Sequence, residues 1–333
     1  MKTSLDYTAH DRQIWEEELD AFVPRRIFDA HAHLFWHTHV PAGHPGRQVW
    51  CDADHAAHLR WAQRLYPHRE VHFLYLGTPV TGIHVGRHNL FLRRQTQRDP
   101  RSRVNLLVTP ACRIETIAAA VRHRGVIGLK PYRLFSRNGN PDTCRIHEFF
   151  TEPQLELAND LGLWVTMHLS RYWAAADPDN LRDLQEYTRR RYPRIKWILA
   201  HCARSFTYWP IRESIEKLRD LPNLYYDLSA VCDVRPFITL FRRENHRRIF
   251  WGSDGITPTF FRGGYFALGR SWVGIGPGDL ERKQFAHCDG RPILAVYENL
   301  LAVKQAAEIA GYTRAQVEAI FWGNAEREFL RRQ

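Results

Sequence analysis

FDAHAHLF, residues 28–35, carries histidine at 31 and 33 and aspartate at 29 inside an otherwise apolar segment. In an extended strand, side chains alternate between faces. That alternation predicts Asp29, His31 and His33 on one face, with Ala30 and Ala32 on the other. Two imidazoles so placed can converge on one cation, and histidine is a common donor to zinc and similar metals. The chain holds 18 histidines, so the pair gains meaning only from the pattern around it.

That pattern is a rhythm of short β-rich runs, most followed by a charged helical stretch. The runs are RIFDAHAHL (26–34), VHFLYLG (71–77), VNLLVTPA (104–111), GVIGLKPY (125–132), LWVTMHL (163–169), IKWILAHC (195–202), LYYDLSA (224–230) and RIFWGSD (248–254). Eight near-continuous apolar strands alternating with helices predict a parallel sheet buried on both faces. That count favours a closed (β/α)8 TIM barrel over an open sheet. A single barrel domain over 1–333 is expected, with 1–25 as an N-terminal helical extension whose helix ends before Pro24. Two insertions break the rhythm: residues 35–52 after strand one and the long loop 255–292 after strand eight. In a barrel, both lie at the C-terminal mouth, where binding loops sit.

Composition narrows the class. No apolar run approaches the roughly 20 residues of a membrane helix. The polar, acidic N-terminus lacks the apolar core of a secretory signal. Six cysteines at irregular spacing read as reduced thiols, so a cytoplasmic location is expected. Lys plus Arg number 47 against 36 Asp plus Glu, a net charge of +11. Only six of the 47 are lysine, the arginines are dispersed, and no nucleic-acid-binding motif occurs. The charge is therefore read as an attraction for anionic small molecules, with nucleic-acid binding a minor alternative.

Active groups of a barrel sit at C-terminal strand ends. His31 and His33 end strand one, His168 strand five, His201 strand six and Asp254 strand eight. Three of these imidazoles with the aspartate make an N,N,N,O set, which suits Zn2+ or a similar divalent ion with a position left for water. Asp29 is expected either to orient an imidazole or to bond backbone as a buried carboxylate. Asp227 on strand seven reads as structural. Cys202 adjoins His201, but neighbouring strand residues face opposite ways, which argues against a thiol nucleophile.

The ordered set resembles the amidohydrolase superfamily, in particular its amidohydrolase-2 branch of metal-dependent barrel hydrolases and decarboxylases. DAHAH (29–33), GLKPY (128–132), VTMHL (165–169), ILAHC (198–202), YYDLSA (225–230), RIFWGSD (248–254) and GNAEREFL (323–330) carry the resemblance. It implies His31, His33 and His168 as metal ligands. It implies His201 as a group that polarises substrate, and Asp254 as metal neighbour and proton shuttle. One divalent ion is expected, Zn2+ first, with Mn2+ or Fe2+ as alternatives. Binuclear members carry a bridging, carboxylated lysine at the place of Lys130; here Lys130 is expected to face substrate or to be structural.

Arg133, Arg171 and Arg204 each lie three residues beyond Lys130, His168 and His201. That offset predicts guanidinium groups around one mouth, and arginine clamps carboxylates. Arg171 and Arg204 are preferred for this role, and Tyr132 is a weaker substrate contact. The expected activity is metal-dependent hydrolysis of a C–O or C–N bond in a small carboxylated lactone or amide. The alternative is non-oxidative decarboxylation of a small aromatic or unsaturated acid. The resemblance also makes a homodimer reasonable.

Overall fold

Eight strands pair in parallel and in sequence order: β1 (Arg26–His33), β2 (Glu70–Leu76), β3 (Arg103–Val108), β4 (Val126–Pro131), β5 (Trp164–Met167), β6 (Lys196–Leu199), β7 (Leu224–Asp227) and β8 (Ile249–Phe250). The computed structural model describes residues 5–256, 261–283, 287 and 290–331. Helices His55–Leu65, Val85–Thr96, Ile114–Val121, Glu152–Asp160, Pro178–Glu186, Tyr208–Leu218, Val234–Arg243 and Ala295–Ala310 alternate with the strands. The (β/α)8 barrel is therefore present. The amide of Ala30 donates to Trp251 O at 2.9 Å and that of Asp254 to His31 O at 2.8 Å, which joins the β8 segment to β1.

The helices form for local reasons. In Val234–Arg243 the Asp233 side chain caps the start by accepting from the Arg235 amide. Phe237, Leu240 and Phe241, at helical spacing, bury one face. The N-terminal helix Ala9–Ile14 opens on a Thr8/Asp11 capping box and continues as a π-helical turn, Trp15–Leu19. Buried Asp11 pairs with Arg262 at 2.7 Å, tying this helix to the segment after β8.

The barrel floor is apolar. Phe28, Trp164, Phe250 and Phe329 form one cluster with Trp322, and the Phe329 ring lies 4.8 Å from that of Trp164. The C-terminal segment thus plugs the bottom and leaves the polar residues at the opposite end. The strict alternation expected in β1 fails. Asp29 pairs with Phe73 but Ala32 with Tyr75, so β1 carries one extra residue as a bulge. An extra residue reverses which side chains face inward. Phe28 and Ala30 join the floor cluster, and His31 and His33 still reach the mouth.

Several strands are shorter than expected, and the chemically active residues lie just past their ends. β5 stops before His168 and β6 before His201. Residues His201 to Arg204 form a left-handed turn with φ of 52–57°. Strand alternation therefore does not orient Cys202. The thiol is instead fully buried, and burial pushes its pKa far up, which disables it as a nucleophile. The five described cysteines are free, and Cys288 lies outside the described residues. Part of the second insertion also lies outside them. Its described portion includes an antiparallel hairpin, β9 (Gly264–Leu268) with β10 (Ser271–Ile275). Among the described residues, no helix is long and apolar enough to cross a membrane.

Candidate metal centre

His31 and His33 meet Asp254 at the mouth. Nε2 of His31 lies 3.2 Å from Asp254 Oδ1, and Nε2 of His33 lies 3.3 Å from the same oxygen. Donor atoms of His31, His201 and Asp254 all fall within 4.8 Å of one another. Strand packing enforces this closeness: a Cβ on Gly252 would stand 2.8 Å from the Cβ of His31. Asp254 itself has φ of 56°, a strained conformation of the kind that clusters at functional sites.

Each imbalance of charge has a visible cause. Burial raises the Asp254 carboxyl pKa, but the His31, His33 and His201 imidazoles outweigh it and hold the group well below the usual range. Burial lowers His31, assisted by Lys130 and opposed by Asp227. Burial likewise takes His201 down to about 4 and His168 well below its ordinary value. Neutral imidazoles beside an ionised carboxylate are the protonation states a divalent ion requires.

The outer nitrogens are occupied. His31 Nδ1 lies 2.9 Å from Asp227 Oδ2, and His33 Nδ1 lies 3.3 Å from Leu76 O. His201 Nδ1 lies 3.1 Å from Ser229 O. These oxygens leave the Nε2 lone pairs free. The imidazole and carboxylate donors at the mouth are the kind a divalent ion takes, with His31, His201 and Asp254 converging and His33 beside Asp254. The His168 ring centroid lies 5.1 Å from that of His201, as near as the 5.2 Å between His31 and His33, and its Nδ1 is buried without a partner. Of the four expected ligands, the structure brings together His31, His33 and Asp254. His201 also offers a donor atom within 4.8 Å of those of His31 and Asp254.

Asp29 touches no imidazole. It accepts from the His31 amide at 3.1 Å, the Ser253 amide at 2.9 Å and the Ser253 hydroxyl at 2.5 Å. Burial raises its pKa to about 7. Its role is to bind the β1 bulge to the β8 segment, so the backbone-bonding alternative holds and the orienting carboxylate is Asp227. Asp227 ends β7 at a position where the same strand-end logic could have found it.

Lys130 is fully buried, and its Nζ has no hydrogen-bond partner. Burial lowers its pKa to about 8, opposed by Asp227 and Asp254. The ammonium lies 4.7 Å from the Tyr132 ring centroid, and Tyr132 OH lies 3.4 Å from His33 Nε2. The arginines do not form one free cluster. Arg171 pairs with Asp177 and Asp179, and Arg133 pairs with Asp142. Arg204 donates to Leu169 O and Arg171 O at 3.1 and 3.0 Å, and sits 3.7 Å from Asp142. Each guanidinium follows the nearest loop carboxylate or carbonyl, which sequence offset does not reveal.

Aromatic side chains from the insertions and from the segment after β6 frame the mouth, and sequence reading missed them. Trp50 packs edge-on against His33 at 5.7 Å, Phe206 lies 5.5 Å from His201, and Trp272 of β10 stacks on Phe206 at 4.4 Å.

A closed barrel with imidazoles and a carboxylate gathered at its C-terminal mouth defines a barrel with a metal-capable centre. The Amidohydrolase family model (amidohydrolase-2) matches residues 28–331, and the chain belongs to that family. No curated protein matches it. Solved structures share the fold at low identity. A probable 2-pyrone-4,6-dicarboxylic acid hydrolase from Acinetobacter baumannii, with citric acid bound, is 12% identical with a TM-score of 0.56, over 90% of this chain and 98% of that one. A dihydroxybenzoic acid decarboxylase from Polaromonas sp. JS666, with manganese and 2-nitroresorcinol, is 15% identical with a TM-score of 0.56, over 92% and 96%. The 5-carboxyvanillate decarboxylase of Sphingomonas paucimobilis is 13% identical with a TM-score of 0.52, over 91% and 98%.

Proposed function

We propose that the protein is a metal-dependent hydrolase acting on a C–O or C–N bond of a small carboxylated lactone or amide. The observation that carries this reading is Asp254: a carboxylate held ionised, 24% exposed at the mouth, and 3.2–3.3 Å from two imidazole Nε2 atoms. A divalent ion bound there, Zn2+ or alternatively Mn2+ or Fe2+, would acidify water and place positive charge beside a developing oxyanion. Asp254 accepts the proton of the attacking water and returns it to the leaving group. Lys130, a buried cation without a partner, faces the negative charge that develops or the substrate carboxylate. Arg204, backed by two carbonyls, is the preferred carboxylate clamp. Arg171, Arg133 and Tyr132 are further candidate substrate contacts in this reading.

A second reading, non-oxidative decarboxylation of a small aromatic acid, draws support from Trp50, Phe206 and Trp272 around the mouth and from the decarboxylases of the same fold. In it Asp254 takes a proton from water and delivers it to the ring carbon, and the C–C bond to the carboxylate breaks to release carbon dioxide. The two differ in product. Protein stripped and reloaded with zinc, manganese or iron is incubated with carboxylated lactones, amides and aromatic acids in 18O-water. Isotope in the product carboxylate supports hydrolysis, and carbon dioxide without isotope in the product supports the second reading. Neither product with any metal and substrate class would sink both.

A further inference from the structure

We infer that Ser229 is a positioning residue that locks both His31 and His201 in the Nδ1-protonated tautomer, making His201 a lone-pair donor and not a hydrogen-bond donor to substrate. The geometry that carries this is one buried hydroxyl with three partners. Ser229 Oγ lies 2.5 Å from Asp227 Oδ1, 3.1 Å from His31 Nδ1 and 3.0 Å from His201 Nδ1.

A hydroxyl has one proton and two lone pairs. Asp227 Oδ1 already accepts the amides of His201 at 3.0 Å and Ser229 at 3.1 Å. An oxygen receiving two N–H donors accepts the hydroxyl proton as well. The Ser229 proton is thereby spent on Asp227, and its oxygen can only accept from the two imidazoles. Both must therefore carry hydrogen on Nδ1. Two further contacts give the same solution: His31 Nδ1 also meets Asp227 Oδ2 at 2.9 Å, and His201 Nδ1 meets the Ser229 carbonyl at 3.1 Å. For a neutral ring, no other proton placement satisfies every Nδ1 partner.

The consequence falls on His201. The family resemblance implies that this histidine polarises substrate, which needs a proton on Nε2. In this chain that proton sits on the far side of the ring. Nε2 is left with the lone pair, and a ring nitrogen of His201 lies within the His31–Asp254 group, suited to a metal ion or to taking up a proton. The left-handed turn from His201 to Arg204 swings the ring into this position, and the Asp227 contact to the His201 amide anchors it.

The two residues depend on Ser229 unequally. His31 keeps Asp227 Oδ2 when the hydroxyl is removed, whereas His201 keeps only one carbonyl. Metal-free protein with 15N-labelled histidine, studied by long-range 1H–15N correlation, reads the tautomers directly. Signals are assigned through His31→Gln and His201→Gln. In the unmodified chain, Nε2 of both rings should appear as the unprotonated nitrogen. In Ser229→Ala, His201 should populate both tautomers while His31 and His33 stay unchanged, and Ser229→Thr should restore His201. Protonated Nε2 on His201 in the unmodified chain would overturn the inference without any variant. So would a Ser229→Ala spectrum identical to it.

A second readout is Co2+ titration. The Ser229→Ala affinity should fall at least about tenfold, as loss of an orienting partner typically does, and recover in Ser229→Thr. Unchanged affinity would overturn the assignment of His201 to the ion. The metal arm rests on the proposed metal centre, but the tautomer arm does not. A chain that turns over no substrate yet shows the expected tautomers would sink the proposed function and leave this inference standing.

Discussion

Oδ2 of Asp227 lies 2.9 Å from Nδ1 of His31, with both side chains buried. The other oxygen of the same carboxylate receives two amides and a hydroxyl. One side chain at the end of β7 therefore fixes groups on β1, after β6 and after β7 at once. Such carboxylate–imidazole contacts set the tautomer and basicity of a metal-binding histidine.

Asp227→Asn tests this. The asparagine oxygen must remain with the three donors, so its NH2 would face His31 Nδ1. Two donors would then oppose each other, and His31 would move its proton to Nε2, the side that faces Asp254. Mn2+ affinity, measured by calorimetric titration, should fall about 10–100-fold with the circular dichroism spectrum retained. Wild-type affinity would remove Asp227 from the metal centre.

Lys130 gives an opposite pairing of stability and activity. Its ammonium is buried without a hydrogen bond, so the folded state disfavours its charged form. The folded pKa of about 8 lies below the ordinary value of 10.5. Between those two values the unfolded chain binds more protons, and stability rises with pH. Below about pH 8 the full cost is present, on the order of 3 kcal/mol. Metal-free Lys130→Met should melt higher than the unmodified chain at pH 7, and the gap should close as pH rises toward 10. The same variant should lose turnover. A lower melting temperature at pH 7 would show that Lys130 has a stabilising partner.

The barrel and most of the centre were legible because both follow position rules. Eight apolar runs gave eight strands, and three strand ends gave His31 with His33, His201 and Asp254. Three features were not legible. The β1 bulge inserts one residue without any glycine or proline to mark it, so strict alternation misplaced Asp29. The left-handed turn at 201–204 comprises His, Cys, Ala and Arg, none of which favours positive φ. It is imposed by contacts such as Asp227 Oδ1 to the His201 amide, which are long-range. The third is the pairing of the arginines: their spacing was visible, and their partners, Asp142, Asp177 and Asp179, were not.

A second pH dependence lies away from the mouth. His72 Nδ1 lies 2.6 Å from Asp99 and its Nε2 2.9 Å from Glu70. Burial lowers the His72 pKa, but the two carboxylates outweigh it and raise it. Burial raises Asp99, yet His72, Ser102 and the Arg101 amide carry it well below the usual range. The His72 contribution is complete below its unfolded pKa near 6.5 and is lost as pH rises through the higher folded value. The Asp99 contribution is complete above its unfolded value near 3.9 and is lost as pH falls through the lower one. Their overlap places the strongest effect near pH 5–6. His72→Ala should cost about 1–3 kcal/mol there, and distinctly less at pH 8.5, as read by urea denaturation. Equal losses at both pH values would assign the effect to packing alone.

Trp272 carries the last expectation. Its ring stacks on Phe206 at 4.4 Å with 22° between planes, and Phe206 lies 5.5 Å from His201. Tyr265 of the same hairpin meets Trp272 edge-on at 5.6 Å. The hairpin is also tied down by the Trp209 indole N–H, which donates to Arg270 O at 3.2 Å. Trp272 remains 42% exposed, so its removal costs the fold little. Its loss should instead loosen the aromatic wall over the centre. An aromatic stack is worth about 0.5–1.5 kcal/mol, so Trp272→Ala should raise KM by roughly threefold to tenfold. The effect on kcat should stay within about twofold, because Trp272 touches none of the groups that move protons. A fall in kcat at constant KM would instead place the hairpin in the chemical step.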